Sequence, residues 1–574
     1  MPLLGNELAV MGILAVIVGL ASSLGTIAFL KLIQLIQFVS YGSGRSLLDT
    51  VARIPWYWRI VVPALGGLLV GLCVYLVARK YKGHGVAEVL EAVALRKGVI
   101  KGKVVLLETV AAALTIGTGG SAGIVGPIVQ LGSGVGSVAG QIPRLSGGRI
   151  RTLVGCGAAA GIATAFNAPI AGVMFALEVI LGDFGIATFS PIVISSVAAT
   201  AVSRHFLGDH PAILVPAYKL VSAWELPLYV LLGISCALVA VAFTKLFYWV
   251  GDRFEDFSFP SFFKPLVGGS IIGITGLYFP HILGNGYPTI DLVLIEKISL
   301  GAILALMILK ILSTSITIGS GGSGGTFAPA LFIGAMAGAG FGGIAHHVFP
   351  EVTASQGAYS IVGMAALVAG ITHAPLTGIL MLFEMTGNYT IILPLMISCI
   401  TASVLSGRLQ KESMYTLKLF RKGVNIHAGK EVNVLRSIRV GEVMNPEVET
   451  VQEGMSLRKL SEKIAHSKYN TFPVVDREGN LTGILSFLDY HEVIFEDGLR
   501  DLVVTGELAT RRVVTVSTDD SLLTALQRIS SKDYSILPVV DAQNPTSIKG
   551  ILTRRDIISA YNRAVLKRSV SMDS

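Results

Sequence analysis

From about residue 9 to about residue 405 the chain is a nearly unbroken succession of apolar runs, among them Leu8 to Ile36, Ile60 to Val77, Leu226 to Val250 and Ile303 to Ile318. Several approach the ~20 residues that cross a bilayer as a helix. With 52% hydrophobic and only 14% charged residues in 574, and a mean hydropathy of +0.68, the chain is too apolar for an ordinary soluble protein. The expected fold is therefore an all-α multi-pass membrane protein. Other runs, such as Ala111 to Ile116 and Pro127 to Ala139, are short and broken by glycine. They read as half-helices whose irregular ends lie inside protein or line a wet cavity. After Gln410 the composition becomes that of a soluble α/β domain, past a basic stretch with Lys418, Arg421, Lys422 and Lys430 that suits a cytoplasmic face. The amino terminus has no basic region ahead of its apolar run and no small-residue cleavage site, so no removable signal is expected. Cys73, Cys156, Cys236 and Cys399 sit in apolar stretches without metal or disulfide spacing and read as small core residues.

The membrane part repeats itself. GTGGSAGIVGPIVQLG from Gly117 matches GSGGSGGTFAPALFIG from Gly319, and NAPIAGVMFALE from Asn167 matches HAPLTGILMLFE from His373, in the same order and at nearly the same offset. Duplicated halves with broken helices are the architecture of transporters with a central site. Each glycine-rich segment lets the backbone turn sharply and present free amides, and the helix that follows adds about half an elementary positive charge at its start. Two such starts facing one point favour an anion. Pro127 and Pro329 fit the first helical turn, where no amide hydrogen is needed. Close helix packing alone requires less glycine than this.

These segments resemble the chloride channel (CLC) family over nearly the whole length. GHGVAE from Gly83 is similar to the family's GSGIP segment, GIVGP (Gly123 to Pro127) to GREGP, GTFAP (Gly325 to Pro329) to GxFxP, and MYTLKL carries the counterpart of the pore tyrosine, Tyr415. FNAPIAGVMFALE and FEMTGNY are further hallmarks. The resemblance implies inverted repeats of tilted, broken helices at about 58–205 and 226–405 within a membrane domain 1–410, a linker 411–435, a homodimer with one pore per subunit, and both termini in the cytoplasm at the cell membrane. It places a chloride-type monovalent anion in a central site formed by His84, the amides of Thr326 and Phe327, and the Tyr415 hydroxyl. An outer site would use the amides of Ile124, Val125 and Gly126. Backbone donors suit a mobile anion, which needs moderate attraction and fast release. The alternative for Tyr415 is an interfacial aromatic with a wet hydroxyl.

The departures from the family pattern carry the functional expectation. In GREGP the glutamate is the gate and relays protons in exchangers; Val125 stands in its place. The inner proton-transfer glutamate falls on Val179. Valine neither binds nor releases a proton, so the expectation is a passive channel or uncoupled conduit. The alternative is a proton-coupled exchanger using Glu178 or Glu108. Glu178 points about 100° away from its neighbour on a helix and matches Glu384 in the other repeat, which indicates a structural role. Glu108 lies in an apolar segment where relatives carry lysine; it is either functional or neutralised and paired near the interface. His84 occupies the place of a pore serine. Two readings stand: an anion ligand that strengthens when protonated, or a cap on the helix after Gly85.

The tail repeats too. YNTFPVVDREGNLTGILSFLD and YSILPVVDAQNPTSIKGILTRRD each close a unit of strand, helix, two strands and helix, which resembles a CBS pair at 436–498 and 499–574. The resemblance implies an adenine nucleotide (ATP, ADP or AMP) with ribose held by Ser486 and Asp489, and by Thr553 and Asp556; Arg554 and Arg555 favour the second unit for phosphate. The other reading is that these residues cap the last helix.

The net charge of +8 comes without a basic stripe interleaved with aromatics, so no nucleic-acid partner is expected. No Ser/His/Asp or Cys/His set, HExxH or P-loop appears, and no enzyme is expected. A CBS-regulated cation transporter, the weakest reading, would need a midplane carboxylate cluster that the glycine-rich segments do not supply.

Overall fold

The computed structural model describes residues 2–42, 47–51, 53–78, 85–209, 218, 221–422, 435, 438–467, 469–491, 493, 501–531 and 534–570. The chain divides after Leu419 into two compact units.

The first unit is helical. Its elements are α1 (Pro2–Tyr41), α2 (Leu47–Val51), α3 (Trp56–Ala78), α4 (Val86–Leu95), α5 (Gly102–Gly117), α6 (Val125–Gln141), α7 (Gly147–Phe166), α8 (Pro169–Phe175) and α9 (Ile186–Leu207). They continue with α10 (Leu226–Asp256), α11 (Lys264–Tyr278), α12 (Tyr287–Leu294), α13 (Leu300–Gly319), α14 (Phe327–Val348), α15 (Gln356–Thr372), α16 (Pro375–Thr386), α17 (Ile392–Leu409) and α18 (Thr416–Arg421). A π-type turn, Ala176–Leu181, extends α8. Among the described residues seven helices are long and apolar enough to cross a membrane. Shorter ones, such as α4, α5, α6 and α12, lie between them. The outer helices show lipid-compatible side chains, including Ile13, Leu24, Leu69, Ile186 and Leu238, to their surroundings.

Element order makes the duplication concrete: α1, α3, α4, α5, α6, α7, α8 and α9 recur as α10 to α17. In element order α1 (Pro2–Tyr41) stands opposite α10 (Leu226–Asp256), although no shared motif links the two. Packing repeats as well. Gly132 on α6 and Gly157 on α7 bring two backbones together so closely that a Cβ on either would overlap the other's carbonyl oxygen. Gly334 and Gly363 do the same for α14 and α15, where a Cβ on Gly334 would stand 2.5 Å from Gly363 O. Small residues allow this approach where lipid supplies no hydrophobic drive between helices.

The second unit carries two small sheets, β1 (Val451–Gln452), β2 (Thr471–Val475), β3 (Leu481–Ser486) and β4 (Val516–Ser517), β5 (Ile536–Val540), β6 (Ile548–Thr553). In each, the first pair is parallel and the second antiparallel, with a register shift at Val474/Val475 in one and at the matching Val539/Val540 in the other. Each sheet packs on its own apolar cluster, around Phe472 and Leu485 in one and Leu537 and Leu552 in the other.

Candidate anion site

The two glycine-rich segments meet face to face. Gly123 N–H donates to Gly325 O at 2.7 Å, and Gly325 N–H donates to Gly123 O at 2.7 Å. The same reciprocity holds one step outward. Ser121 N–H donates to Thr317 Oγ1 and Ser323 N–H to Thr115 Oγ1, each at 3.1 Å. Both threonines also donate back to their own helices, to Ser313 O and Ala111 O. Buried loop amides therefore find partners across the repeat boundary, as a low-dielectric setting demands.

This pairing aims two helix starts at one place. Neither α6, with Ile124 before its first residue, nor α14, with Thr326 in that position, has a side chain capping its amides. A Cβ on Gly325 would lie 2.6 Å from Gly126 N, so only glycine lets the two starts touch. A third start joins them: Gly85, with φ of +70°, precedes α4 and lies against Gly126, where a Cβ on Gly126 would stand 3.7 Å from Gly85 Cα. Three converging helix starts, each with its positive end and unclaimed amides, form an environment for an anion.

The side chains around it are mostly apolar. Val125 and Ile124 are buried, and neither carries a titratable group. Phe327 is buried between Phe166 (6.5 Å between ring centroids) and Phe175 (6.3 Å). Tyr415 follows Met414, whose N–H donates to Ile371 O at 2.9 Å at the end of α15, and precedes α18. His84 lies outside the described residues.

One part of the site was missed in the sequence. Gln130, buried on α6, accepts from Gly85 N–H with Oε1 at 3.0 Å and donates from Nε2 to Glu88 Oε2 at 2.9 Å. This bridge fixes the start of α4 to α6. Its signal was a lone glutamine on an apolar helix together with an acid in the first turn of α4.

The acids resolve differently. Glu178 accepts from Leu376 N–H at 3.1 Å with one oxygen, and from Thr377 N–H at 2.7 Å and Thr377 Oγ1 at 2.8 Å with the other. Glu384 returns the arrangement, accepting from Ile170 N–H at 2.9 Å and Ala171 N–H at 2.7 Å. Each caps the other repeat's proline-led helix. Val179 follows Glu178 in the π-type turn. Glu108 is buried and accepts from Ser323 Oγ at 2.8 Å. Its counterpart in the second repeat, sixteen residues before Thr326 as Glu108 is before Ile124, is the buried Lys310. Lys310 Nζ donates to Ile282 O at 2.8 Å and Gly284 O at 2.9 Å, in the loop ahead of α12.

In the second unit, Asp489 Oδ2 accepts from both the amide and the hydroxyl of Ser486 at 2.7 Å. Asp556 Oδ2 accepts from Thr553 N–H at 2.9 Å and Oγ1 at 2.6 Å. Both motifs sit at the junction of a last strand and its helix.

Residues 66–407 match the family model described as voltage gated chloride channel. The chain belongs to that family. Residues 440–496 and 504–563 each match the CBS domain model. The chain is 34% identical over 412 residues to a protein of Ralstonia nicotianae described as ClcB-like, covering 71% of this chain and 96% of the relative. It is 31% identical over 416 residues to the H(+)/Cl(-) exchange transporter ClcA of Yersinia pseudotuberculosis, covering 71% of this chain and 87% of that one. Among solved structures, a slow cyanobacterial Cl−/H+ antiporter aligns with a TM-score of 0.64 and 29% identity over 72% of this chain and 97% of its own. The voltage gated chloride channel fold, with CBS domains at its carboxyl end, is thus the architecture of this chain.

Proposed function

We propose that the chain is a passive conduit for chloride-type anions. The observation that carries this is the convergence of the starts of α4, α6 and α14 with valine, not a carboxylate, at the gate position 125. In this reading Thr326, Phe327 and Tyr415 line a central site, joined by His84, and the amides of Ile124, Val125 and Gly126 an outer one. Val179 leaves the inner proton step without an acid. Glu178, its neighbour, engages both oxygens in helix capping, which opposes a second duty as a proton carrier. The protein would work as a homodimer in the cell membrane with its CBS pair in the cytoplasm. Adenine nucleotide at that pair would be held through the ribose by the second oxygens of Asp489 and Asp556, the first being engaged within their own motifs.

A second reading, proton-coupled exchange through Glu178 or Glu108, is favoured by the Yersinia relative, described as an H(+)/Cl(-) exchange transporter, and by the cyanobacterial Cl−/H+ antiporter. Simultaneous anion and proton tracking in liposomes holding purified protein, under a chloride gradient alone, separates the two. Chloride efflux without stoichiometric proton movement supports the conduit; proton uptake at a fixed ratio against its gradient overturns it.

A further inference from the structure

We propose that Tyr248, on α10, is a positioning residue that sets the place of the Tyr415 hydroxyl and so tunes anion selectivity; the inference rests on the reading that Tyr415 faces the anion. Tyr248 Oη donates to Met414 O at 2.7 Å. That carbonyl belongs to the peptide plane ending at the Cα of Tyr415, and a peptide plane is rigid. On the other side of Met414, its N–H donates to Ile371 O at 2.9 Å, at the end of α15. Both peptide planes flanking Met414 are therefore pinned, one by α15 and one by α10, immediately before Tyr415.

The rest of this segment makes the clamp matter. It follows the last long helix, α17, and precedes the six-residue α18, whose Leu419 closes the first unit. Without the phenol bond, the 414–415 plane loses its anchor to α10, and a tilt at the Cα is amplified at the far end of a tyrosine side chain. A central ligand hydroxyl displaced by a fraction of an ångström changes how differently sized anions are held.

The experiment uses full-length protein in liposomes, with Tyr248→Phe, Tyr415→Phe and the double variant. The readouts are the nitrate-to-chloride flux ratio and chloride binding by calorimetry. Tyr229→Phe is the control, since it removes a tyrosine hydroxyl from the same helix, one bonded to Glu225 at 3.2 Å and remote from Met414. Tyr248→Phe is expected to shift both readouts about 2- to 10-fold, the worth of one hydrogen bond, in the direction of Tyr415→Phe. The double variant should add nothing further, and Tyr229→Phe should change neither. Tyr248→His, which keeps a donor on a shorter ring, should fall between Phe and the parent and serves if Tyr248→Phe does not fold. A folded Tyr248→Phe or Tyr248→His that leaves both readouts at the parent value while Tyr415→Phe shifts them overturns the inference, as do independent effects that multiply. If Tyr415→Phe itself changes nothing, the placement of Tyr415 in the pore fails, and the inference falls with it.

Discussion

Gly123 and Gly325 exchange two backbone hydrogen bonds of equal length, so the loops of the two repeats hold each other directly. A methyl group on Gly325 would meet Gly126 N at 2.6 Å, a backbone atom that cannot swing aside. Gly325→Ala is therefore expected to cost about 1–3 kcal/mol by overpacking and to abolish flux in whatever protein folds. Thermal unfolding in detergent and liposome flux check the two effects separately.

Val125→Glu restores a carboxylate at the gate position. An ionised glutamate there competes with the anion, and a protonated one does not. Flux is expected to fall at neutral pH and recover as pH drops toward the ordinary glutamate range near ~4.3, a step that the parent, with no acid at position 125, lacks. Stoichiometric proton coupling should stay absent, because Val179 is unchanged. Chloride efflux measured across pH with a proton-sensitive dye reads both.

Glu178 and Glu384 do the same work in opposite repeats. Replacing either with alanine should lower stability by about 1 kcal/mol, the typical worth of a helix cap, with similar losses for the two. Proton movement in the parent assay should be unchanged by either. A Glu178→Ala variant that alters proton flux while Glu384→Ala does not would assign Glu178 a transport role.

Glu108→Gln keeps an acceptor for Ser323 Oγ and removes the ionisable oxygen. Conductance and its pH response are expected to stay at the parent values. A lost pH response would instead make Glu108 the titrating group of the pore.

In the CBS unit, Asp476 and Asp541 hold matching turns. The amide of Asn480 is the main cause that keeps Asp476 below the usual aspartate value, and the amide of Gln543, followed by Lys549, does so for Asp541. A lowered folded pKa contributes stability that is present above the unfolded value, near ~3.9, and is lost as pH falls through the folded one. Protection of strands 471–475 and 536–540 from hydrogen exchange should therefore decline below about pH 4, and less so in Asp476→Asn and Asp541→Asn variants.

Much of this was legible beforehand because the chain says it twice. The duplicated glycine segments located the starts of α6 and α14, and the proline-led pair located α8 and α16. Composition alone separated the membrane part from the sheets of the tail. The hidden features were side-chain bonds between distant elements. Gln130 to Gly85, Glu178 to Thr377 and Tyr248 to Met414 join residues far apart in the chain. An apolar helix in lipid carries little facial pattern, so nothing near Tyr248 signals that its hydroxyl ends on the chain beside Tyr415. α1 shares with α10 its place in the element order and its length class, not a motif.

Reciprocal bonds between like parts are the signature of an isologous contact, in which one surface meets its own copy about a two-fold axis. The seam between the halves therefore has the form of a dimer interface whose two partners have been joined end to end. Once tethered, the partners need not remain identical, and a position can take opposite charges on the two sides. Glu108 and Lys310 show that freedom: equivalent positions of the two repeats hold an acid that braces a glycine-rich loop and a base that braces a different loop.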